Sequence, residues 1–414
     1  MQKTLTFLVV LVLTTLTIKA QTPIKVMSYN VLNYPFGDIE NRIDTLKIIT
    51  DYVQPDLLLL QELKSRAALQ EIAEVCFSDY DAPYGASEFI QQISNPNSSW
   101  KLQQALVYNQ GKFGMASEEV VTSVHRDLNA FKLFFRDEAL LQGDTTFLYV
   151  FVTHLKSSQG FDNEQRRLQM MESFTTYFNT LPSNALAIFG GDFNLYNSDE
   201  PAYDLILSIA NNIVWKDPIN APGNWHSSSY PFREIHTQSC RENSIFGDGA
   251  GGGMDDRFDF IMASTELMNQ ANPIHYTPNS YLALGNTGDC YNETILDCDQ
   301  NNPVPYSVLS ALYYMSDHLP VVMELEAEAA VSVADLSLEP NIFIFDQNNG
   351  SAEVHIRNYD QRLSRIQILN AMGQTIQEVN PNSNHFATLH LSPGIYVLAI
   401  TTENAGYSKK FFIR

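Results

Sequence analysis

The segment Ala185-Leu186-Ala187-Ile188-Phe189-Gly190-Gly191-Asp192-Phe193-Asn194 decides the fold. Its apolar first half predicts a short buried strand that stops at two glycines. Asp192 and Asn194 lie two positions apart, so in an extended backbone their carboxylate and amide point the same way. Open α/β sheets place their chemistry at such strand ends. The alternative is a strand followed by an Asx turn, the structure that most Gly-Gly-Asp segments adopt.

The same alternation of apolar runs and helical periodicity continues on both sides of this segment. It predicts an α/β domain with much buried sheet. Besides the segment above, the predicted strands are residues 24–30, 56–60, 105–109, 132–135, 146–154, 257–262 and 320–325, and the predicted helices are residues 39–53, 65–75, 164–178 and 202–209. Between Leu195 and Asp255 the chain is rich in Asn, Pro, Ser and Gly, which predicts a long loop region. Loops of this length in a compact domain are usually functional or disordered.

The two ends of the chain differ from this domain. Residues 1–20 combine Lys3, an apolar and threonine run from Thr4 to Ile18, and a small residue at position 20, which predicts a secretory signal. The alternative is a transmembrane anchor, but the run is short for a spanning helix. We expect the α/β domain to cover residues 21–327 and an Ala/Glu/Val linker to cover residues 328–337. Residues 338–414 show short alternating runs between frequent turn residues, which predicts a small β-sandwich.

Charge and cysteine content narrow the classes of function. The chain of 414 residues has a formal net charge of −22, and all of the excess lies before Leu338. An acidic surface does not attract polyanions over long distances, which argues against a high-affinity nucleic-acid binder but not against an enzyme. The four cysteines fit an oxidising compartment, and we expect Cys290 to pair with Cys298; a Cys76–Cys240 bond is the weaker option.

Polar side chains follow almost every apolar run of the α/β domain. The clusters are Tyr29-Asn30, Gln61-Glu62, Thr153-His154, Asp192 with Asn194, Asp259, and Ser316-Asp317-His318. Most of these residues offer oxygen atoms, the ligands that Mg²⁺ and Mn²⁺ prefer. The two histidines add acid–base capacity near neutral pH. Together the set predicts metal-assisted hydrolysis of a phosphate ester.

These clusters, with Arg257-Phe258-Asp259-Phe260, resemble the ordered signature of the endonuclease/exonuclease/phosphatase superfamily over residues 24–325. The superfamily includes pancreatic-type deoxyribonucleases, abasic-site endonucleases, neutral sphingomyelinases and inositol polyphosphate phosphatases. The resemblance implies a four-layer α/β fold of two face-to-face β-sheets flanked by helices. It implies a divalent metal, Mg²⁺ or Mn²⁺, as the cofactor.

The resemblance also implies a role for each matching residue. Three residues resemble the metal-binding set: Asn30, Glu62 and Asp317. Five resemble the catalytic set: Asp192 and Asn194, which position water and transition-state oxygens, His318 with Asp259 as an acid–base dyad, and His154 at the phosphate or leaving group. Three are candidate substrate contacts: Tyr108, Lys156 and Arg257. Tyr108 also fits a packed core aromatic, and Lys156 a solvated side chain. Residues 101–104 lack the acidic residue that often orients the second histidine, so the partner of His154 is open.

The tail carries a second resemblance. Pro340-Asn341, Gly394-Ile395-Tyr396 and the closing residues 409–414 resemble the C-terminal sorting domain of type IX secretion. This implies an address that the outer-membrane secretion machinery reads, and a secreted or cell-surface protein. The alternative is an adhesive or substrate-binding β-module.

The predicted function is a secreted, metal-dependent phosphodiesterase that acts on extracellular nucleic acid as a monomer. The alternatives within the same chemistry are a sphingomyelinase-like phospholipid phosphodiesterase and a phosphatase for small metabolites. An alternative of another class is a catalytically inactive binding or adhesion protein.

Overall fold

The computed structural model describes residues 21–37, 39–98, 101–137, 140, 144–226, 230–243, 248–298, 302–329, 341–346, 351–357, 363–370, 373–379, 386–402 and 406–413. The predicted signal segment, residues 1–20, and residues 330–337 of the predicted linker lie outside the described residues. Within these ranges, no helix combines the length and the apolar character that a membrane span requires.

Two mixed β-sheets form the centre of the large domain. The strands of sheet one are β1 (Gln21–Asn30), β2 (Leu57–Leu63), β3 (Tyr84–Ala86), β4 (Gln103–Asn109), β11 (Ile274–Tyr276), β12 (Leu282–Ala283) and β13 (Val321–Glu328). The strands of sheet two are β5 (Phe113–Val121), β6 (Leu128–Phe135), β7 (Phe147–His154), β8 (Leu186–Asp192), β9 (Trp215–Lys216) and β10 (Asp259–Ser264). Their orders are β11-β13-β1-β2-β4-β3, with β12 beside β13, and β5-β6-β7-β8-β10-β9.

Helices cover the outer faces of both sheets. The described helices are α1 (Arg42–Val53), α2 (Arg66–Val75), α3 (Phe161–Phe178), α4 (Pro201–Ile206), α5 (Thr265–Met268) and α6 (Tyr306–Met315), with 3₁₀ turns at Tyr230–Ile235 and Ile295–Asp297. Alternation along the strands separates three cores. Leu59 and Val150 face each other between the sheets, Leu58 faces α1, α2 and α6, and Phe189 faces α3 and α4. The predicted four-layer fold is confirmed.

Two adjacent glycines permit close approach at one edge, Gly190 between the two sheets and Gly191 within sheet two. A Cβ on Gly190 would lie 2.7 Å from Leu59 Cδ2, so the absent side chain lets β8 approach β2. Gly191 has a φ of 148°, and a Cβ there would meet the Thr153 carbonyl oxygen at 1.9 Å. Each of β1, β2, β7 and β8 ends at a polar cluster. Because β1 is parallel to β2 and β7 is parallel to β8, the clusters within each pair lie side by side. The absence of a side chain at Gly190 therefore lets the polar clusters of the two sheets lie close together.

Several elements differ from the sequence prediction. The pattern gave no strand at β5, whose second half is exposed and polar, and no helix at α6, which is apolar almost all round. Where they are described, residues 195–255 are mostly irregular, as expected, with α4, β9 and one 3₁₀ turn among them. Cys290 and Cys298 form the expected disulfide, while Cys76 and Cys240 are separate buried thiols, so the weaker pairing is wrong.

The tail contains strands only, within its described residues. They are β14 (Asn341–Asp346), β15 (Ser351–Arg357), β16 (Leu363–Asn370), β17 (Thr375–Val379), β18 (Phe386–His390), β19 (Gly394–Thr402) and β20 (Gly406–Ile413). They form two antiparallel sheets, β14-β15-β18 and β17-β16-β19-β20. Ile366 and Ile368 of β16 are buried beside Leu398 and Ile400 of β19, which gives the larger sheet one apolar face. All the tail strands except β17 agree with the predicted pattern.

Candidate active site

The predicted polar clusters meet at one edge of the two sheets. Sheet one contributes residues from the ends of β1 and β2 and from the segment before β13, and sheet two contributes residues from the ends of β7 and β8 and the start of β10. The residues that come together are Asn30, Glu62, His154, Asp192, Asn194, Asp259, Asp317 and His318. Apart from the partly exposed Glu62, these side chains are buried.

Asn30 connects the two sheets at this site. Its Nδ2 donates to Glu62 Oε1 at 3.1 Å and to Asp192 Oδ2 at 3.1 Å. Its Oδ1 accepts from the Leu32 backbone N–H at 3.0 Å, which fixes the orientation of the amide. One side chain therefore holds a carboxylate of each sheet at a set position.

His318 and Asp259 form a buried dyad. Asp259 Oδ2 lies 2.7 Å from His318 Nδ1, which leaves Nε2 directed at the cluster, 3.7 Å from Asp192 Oδ2. Burial lowers the pKa of His318, but the negative charges of Asp259, Asp192 and Asp317 outweigh it and raise that pKa well above its usual value. Gln238 Nε2 lies 2.7 Å from the same Nε2 and 3.2 Å from Asp317 Oδ2.

His154 finds its carboxylates on β2 and β8 instead of in residues 101–104. Its Nε2 lies 3.2 Å from Asp192 Oδ2, and its Nδ1 lies 3.8 Å from Glu62 Oε1, beyond hydrogen-bonding distance. Burial, followed by the charges of Arg126 and His318, lowers the pKa of His154 well below its usual value. The ring is therefore neutral at pH 7, and Nδ1 is a buried nitrogen with no hydrogen-bond partner among the described residues.

Burial and neighbouring negative charges raise the pKa values of two carboxylates of the site. Burial raises the pKa of Asp192 to about 7, with Asp259 and Glu62 adding to the rise and His318 opposing it. Burial and the charge of Asp317 raise the pKa of Glu62. Within Glu62–His154–Asp192, and again within Asp192–Asp259–His318, the possible ligand atoms lie within 4.8 Å of one another. The orphaned His154 Nδ1 and this oxygen-rich donor set fit a divalent cation such as Mg²⁺ or Mn²⁺.

Asp317 lies beside these two groups of possible ligands, under the glycine-rich segment of residues 249–253 in the long loop. Its Oδ2 accepts from the Ala250 backbone N–H at 2.6 Å as well as from Gln238. Gly249 has a φ of 83°, and a Cβ there would lie 3.0 Å from the Asp317 carboxylate, so the loop rests directly on it. The metal-binding role predicted for Asp317 stays a prediction.

Two of the three candidate substrate contacts lie away from the cluster. Tyr108 pairs with Leu57 at the start of β2, because β4 runs antiparallel to β2, and its side chain is buried between the sheets. Arg257 is buried against the ring of Phe260 and donates to both oxygens of Asp217 at 2.8 and 2.9 Å. It attaches the long loop to β10 and is not open to substrate. Lys156 follows His154 and is partly exposed at the edge of the site.

Sequence reasoning named Lys156 but missed two other cations whose charges act on His154, Arg126 and Lys64. Arg126 donates to the Leu155 carbonyl oxygen at 2.7 Å, and its charge acts on both Glu62 and Asp192. The charges of Lys64 and Lys156 also act on His154. Arg126 and Gln238 belong to no motif in the sequence, since each lies in a connection whose course only the fold determines. A local positive region thus adjoins the acidic centre of a chain with a net charge of −22.

The tail is similar to a known family of domains. Residues 348–414 match the family "Secretion system C-terminal sorting domain". The tail resembles an export signal. The predicted sorting tail is thereby confirmed, and it implies export to the cell surface or the exterior.

Solved structures similar to the chain were also found. TDP2 of D. rerio, complexed with a single-strand DNA product, is 17% identical, with a TM-score of 0.47, over 73% of this chain and 99% of that chain. The human nocturnin catalytic domain with a bound sulfate anion is 17% identical, with a TM-score of 0.45, over 74% and 97%. A Bacteroides thetaiotaomicron protein named for the endonuclease/exonuclease/phosphatase family, which the sequence clusters resemble, is 16% identical, with a TM-score of 0.44, over 75% and 100%. No curated protein matches the chain.

Proposed function

We propose that this protein is an exported hydrolase that uses a divalent cation to cleave phosphodiester bonds, with extracellular nucleic acid as its substrate. Residues 21–327 would form the catalytic domain and residues 338–414 the sorting domain that the secretion machinery reads. The observation that carries the proposal is the buried cluster in which Asn30 links Glu62 to Asp192 beside the His318–Asp259 dyad. Metal-assisted phosphoryl chemistry needs this combination of hard oxygen ligands and an oriented acid–base group.

Each side chain has a chemical task in this proposal. Asn30 and Glu62, with Asp317 beside them, would hold Mg²⁺ or Mn²⁺, which supplies positive charge against the phosphate oxygens. Asp259 holds His318 Nδ1 and directs Nε2 at the cluster. A bound cation would lower the pKa that the three carboxylates raise, so Nε2 would then be able to take a proton from the attacking water, and Asp259 would stabilise the imidazolium that results. Asn194 donates to Asp192 Oδ1 at 2.7 Å, and Asn30 donates to Oδ2 at 3.1 Å, so donors from both sheets hold the carboxylate that would orient that water. His154, neutral and close to Asp192, contacts the phosphate or the leaving oxygen.

The cations around His154 support a phosphate substrate. Arg126, Lys64 and Lys156 surround the second histidine, although the chain as a whole is strongly acidic. The general surface gives no long-range attraction for a polyanion, so these local charges would hold the phosphate after encounter. This combination suits rapid turnover better than tight binding. We expect the enzyme to act as a monomer, which light scattering would test.

The segment Asn211–Phe232 argues against a phospholipid substrate. A membrane-binding hairpin must expose apolar side chains to the bilayer. In the described part of this segment, Trp215 and Trp225 are buried in the core beneath sheet two instead. A sphingomyelinase-like activity therefore lacks its membrane contact here. A phosphatase for small metabolites stays as the second candidate, because the described contacts around His154 do not require a polymer.

A substrate panel would test this function. The purified protein would be assayed with a linear single-stranded oligonucleotide, bis(p-nitrophenyl) phosphate, p-nitrophenyl phosphate and sphingomyelin vesicles, with Mg²⁺ and with EDTA. We expect Mg²⁺-dependent cleavage of the first two. His275→Gln is the matched control for a substitution of His318. His275 also faces a carboxylate, that of Glu326, but it lies on β11 at the far edge of sheet one. Hydrolysis of the monoester alone would favour the phosphatase, and no hydrolysis of any substrate would favour the binding protein.

A further inference from the structure

An open cavity lies beside the candidate active site, on the side of Asn194. Its volume is about 600 Å³, and its walls include Gln159, Glu164, Tyr196, Asn197, Asn224 and His226. Three segments that follow functional residues meet here: the one after His154, the one after Asn194, and the long loop. Arg167 holds the first two together, because it donates to the Lys156 carbonyl oxygen at 2.8 Å and to Glu200 at 2.7 Å.

The long loop is built to present His226 to this cavity. Trp225 is fully buried and donates to the Ala221 carbonyl oxygen at 2.7 Å, which anchors the loop beneath sheet two. His226 follows directly, and its Nδ1 makes a short contact with Asp256 Oδ1. The pairing at Nδ1 fixes the ring, and among the described residues no hydrogen bond occupies Nε2 at the cavity wall. Such an oriented imidazole in an open cavity is a binding group with a defined direction.

The cavity adjoins the catalytic dyad. Tyr196 lies two residues after Asn194, and its ring lies 5.0 Å from His226 and 4.9 Å from Phe258, the residue before Asp259. The backbone of Gln238 pairs with Asp256 on one side and with His318 on the other. Successive strand-like segments lie about 5 Å apart, so the backbones of Asp256 and His318 lie about 10 Å apart, on either side of Gln238. A substrate group next to the scissile phosphate can therefore reach the cavity.

The charges on the two sides of the site are opposite. Arg126 donates to the Leu155 carbonyl oxygen, and the charges of Arg126 and Lys64 act on His154; neither residue lines the cavity. The described residues that line the cavity include no Lys or Arg; Glu164 and Asp199 carry negative charge, and the charge of Glu200 is paired with Arg167. A second phosphate is favoured on the first side and repelled on the second. The amides of Gln159, Asn197 and Asn224 instead offer donors and acceptors to an uncharged polar group.

We propose that this cavity binds the uncharged, hydrogen-bonding end group of the substrate, a terminal nucleoside, with His226 as a specificity-determining residue. The inference rests on the proposed phosphodiesterase function and gives it a direction: the enzyme cleaves next to a chain end, with further phosphates on the Arg126 side. An internal bond of a nucleic acid would place another phosphate in the acidic cavity and would be cleaved poorly.

Binding of small ligands tests the subsite separately from activity. Calorimetry with Mg²⁺ would compare adenosine 5′-monophosphate, adenosine 3′,5′-bisphosphate and inorganic phosphate on wild type, His226→Gln and His275→Gln. We expect the bisphosphate to bind more weakly than the monophosphate to wild type. His226→Gln should lower the affinity for the monophosphate about 3- to 10-fold relative to inorganic phosphate, the worth of one hydrogen bond. Equal binding of the two nucleotides, an unaltered ratio in His226→Gln, or no binding of the monophosphate would overturn the subsite.

Cleavage of matched polymers tests the direction. A linear single-stranded oligonucleotide and its circular form of the same sequence would be digested by the full chain with Mg²⁺. We expect the linear form to be cleaved at least about 10-fold faster, with mononucleotides among the first products. Equal rates would overturn the inference while leaving the phosphodiesterase function intact. Failure to hydrolyse even bis(p-nitrophenyl) phosphate would instead count against the proposed function, and the binding measurements would still decide the subsite.

Discussion

The chain contains two histidine–carboxylate pairs that share a short stretch of backbone but occupy different environments. Asp259 and Asp256 lie three residues apart and hold His318 and His226, respectively. The side chains of the first pair are 4% and 0% exposed, whereas those of the second are 28% and 13% exposed. The same two residue types therefore serve as a buried dyad in one case and as part of a cavity wall in the other.

The surroundings decide what each pair can do. Burial lowers the pKa of His318, but the negative charges of Asp259, Asp192 and Asp317 together raise it well above the usual value. Burial raises the pKa of Asp256 to about 7, and the hydrogen bond from His226 opposes the rise. The buried pair lies among candidate metal ligands, while the outer pair faces an open cavity. The proposed proton transfer therefore falls to the inner pair, which has more charged groups around it.

Replacement of the inner histidine should have the largest effect. In His318→Asn the side-chain amide can still donate to Asp259, so the buried carboxylate keeps a partner, but no basic Nε2 remains. We expect kcat to fall about 10²- to 10⁴-fold, the range for loss of a general acid–base group. The measurement is Mg²⁺-dependent hydrolysis of bis(p-nitrophenyl) phosphate. A fall of less than 10-fold in a variant that melts like wild type would contradict the assignment.

Removal of the inner carboxylate charge should cost somewhat less. Asp259→Asn keeps the size of the side chain but no longer stabilises the imidazolium of His318 or its tautomer. We expect kcat to fall about 10²- to 10³-fold, with an altered pH–rate profile. The matched change at the outer pair, Asp256→Asn, should lower kcat far less. Equal losses in both variants would remove the distinction between the two pairs.

A third histidine shows the effect of burial on stability. His236 is fully buried, and burial lowers its pKa to about 4 although a hydrogen bond with the Met254 backbone opposes the shift. The unfolded chain takes up the proton near pH 6.5 and the folded chain only near pH 4, so this residue costs stability as the pH falls between these values. The loss should approach ~3 kcal/mol. Urea unfolding at pH 7 and pH 4.5 would show a smaller pH dependence in His236→Gln, and an identical dependence would contradict the shift.

Loss of the Asn30 side chain, which links the two sheets, should lower the affinity for the metal. Asn30→Ala removes the amide that links Glu62 to Asp192, and it leaves each carboxylate with one donor fewer. We expect the Mg²⁺ concentration for half-maximal activity to rise about 10- to 100-fold, as for loss of a group that orients ligands. The rate at saturating Mg²⁺ should recover better than in His318→Asn. No change in the Mg²⁺ dependence would show that Asn30 has no part in the metal site.

Replacement of the outer histidine should have the smallest effect. His226→Gln removes one oriented hydrogen-bonding group from the cavity wall. We expect KM for a linear oligonucleotide to rise about 3- to 10-fold, with a smaller change in kcat. His275→Gln should match wild type in both constants. A loss in kcat as large as that of His318→Asn would mean that the outer pair takes part in the chemistry itself.

The sequence predicted the centre of the site because each of its residues directly follows or precedes an apolar strand. Asn30, Glu62, His154 and Asp192 end four strands, and parallel pairing brings strand ends together without further information. Tyr108 could not be placed in this way, because the antiparallel direction of β4 is a property of the sheet and not of the local pattern. The same holds for β5 and α6, whose burial depends on neighbours far away in the chain.

The long loop limited prediction most. Gln238, His226 and Asp256 come together through a buried tryptophan and irregular backbone hydrogen bonds, and no periodicity records such contacts. Arg257 had the chemistry of a phosphate contact, but only the fold shows that Asp217 occupies its guanidinium. Motifs at strand ends were thus predictable, whereas the loop residues that would distinguish one substrate from another were not.

Metal-dependent hydrolysis that requires His318 is tested by one titration. The rates of hydrolysis of bis(p-nitrophenyl) phosphate and of a linear oligonucleotide would be measured as Mg²⁺ is titrated into the metal-stripped protein. Wild type, His318→Asn and His275→Gln would be compared. We predict no hydrolysis without metal, a saturable rise in rate for wild type and His275→Gln, and a rate at least about 10²-fold lower for His318→Asn at every Mg²⁺ concentration. A rate that is independent of metal, or equal in wild type and His318→Asn, would contradict this prediction.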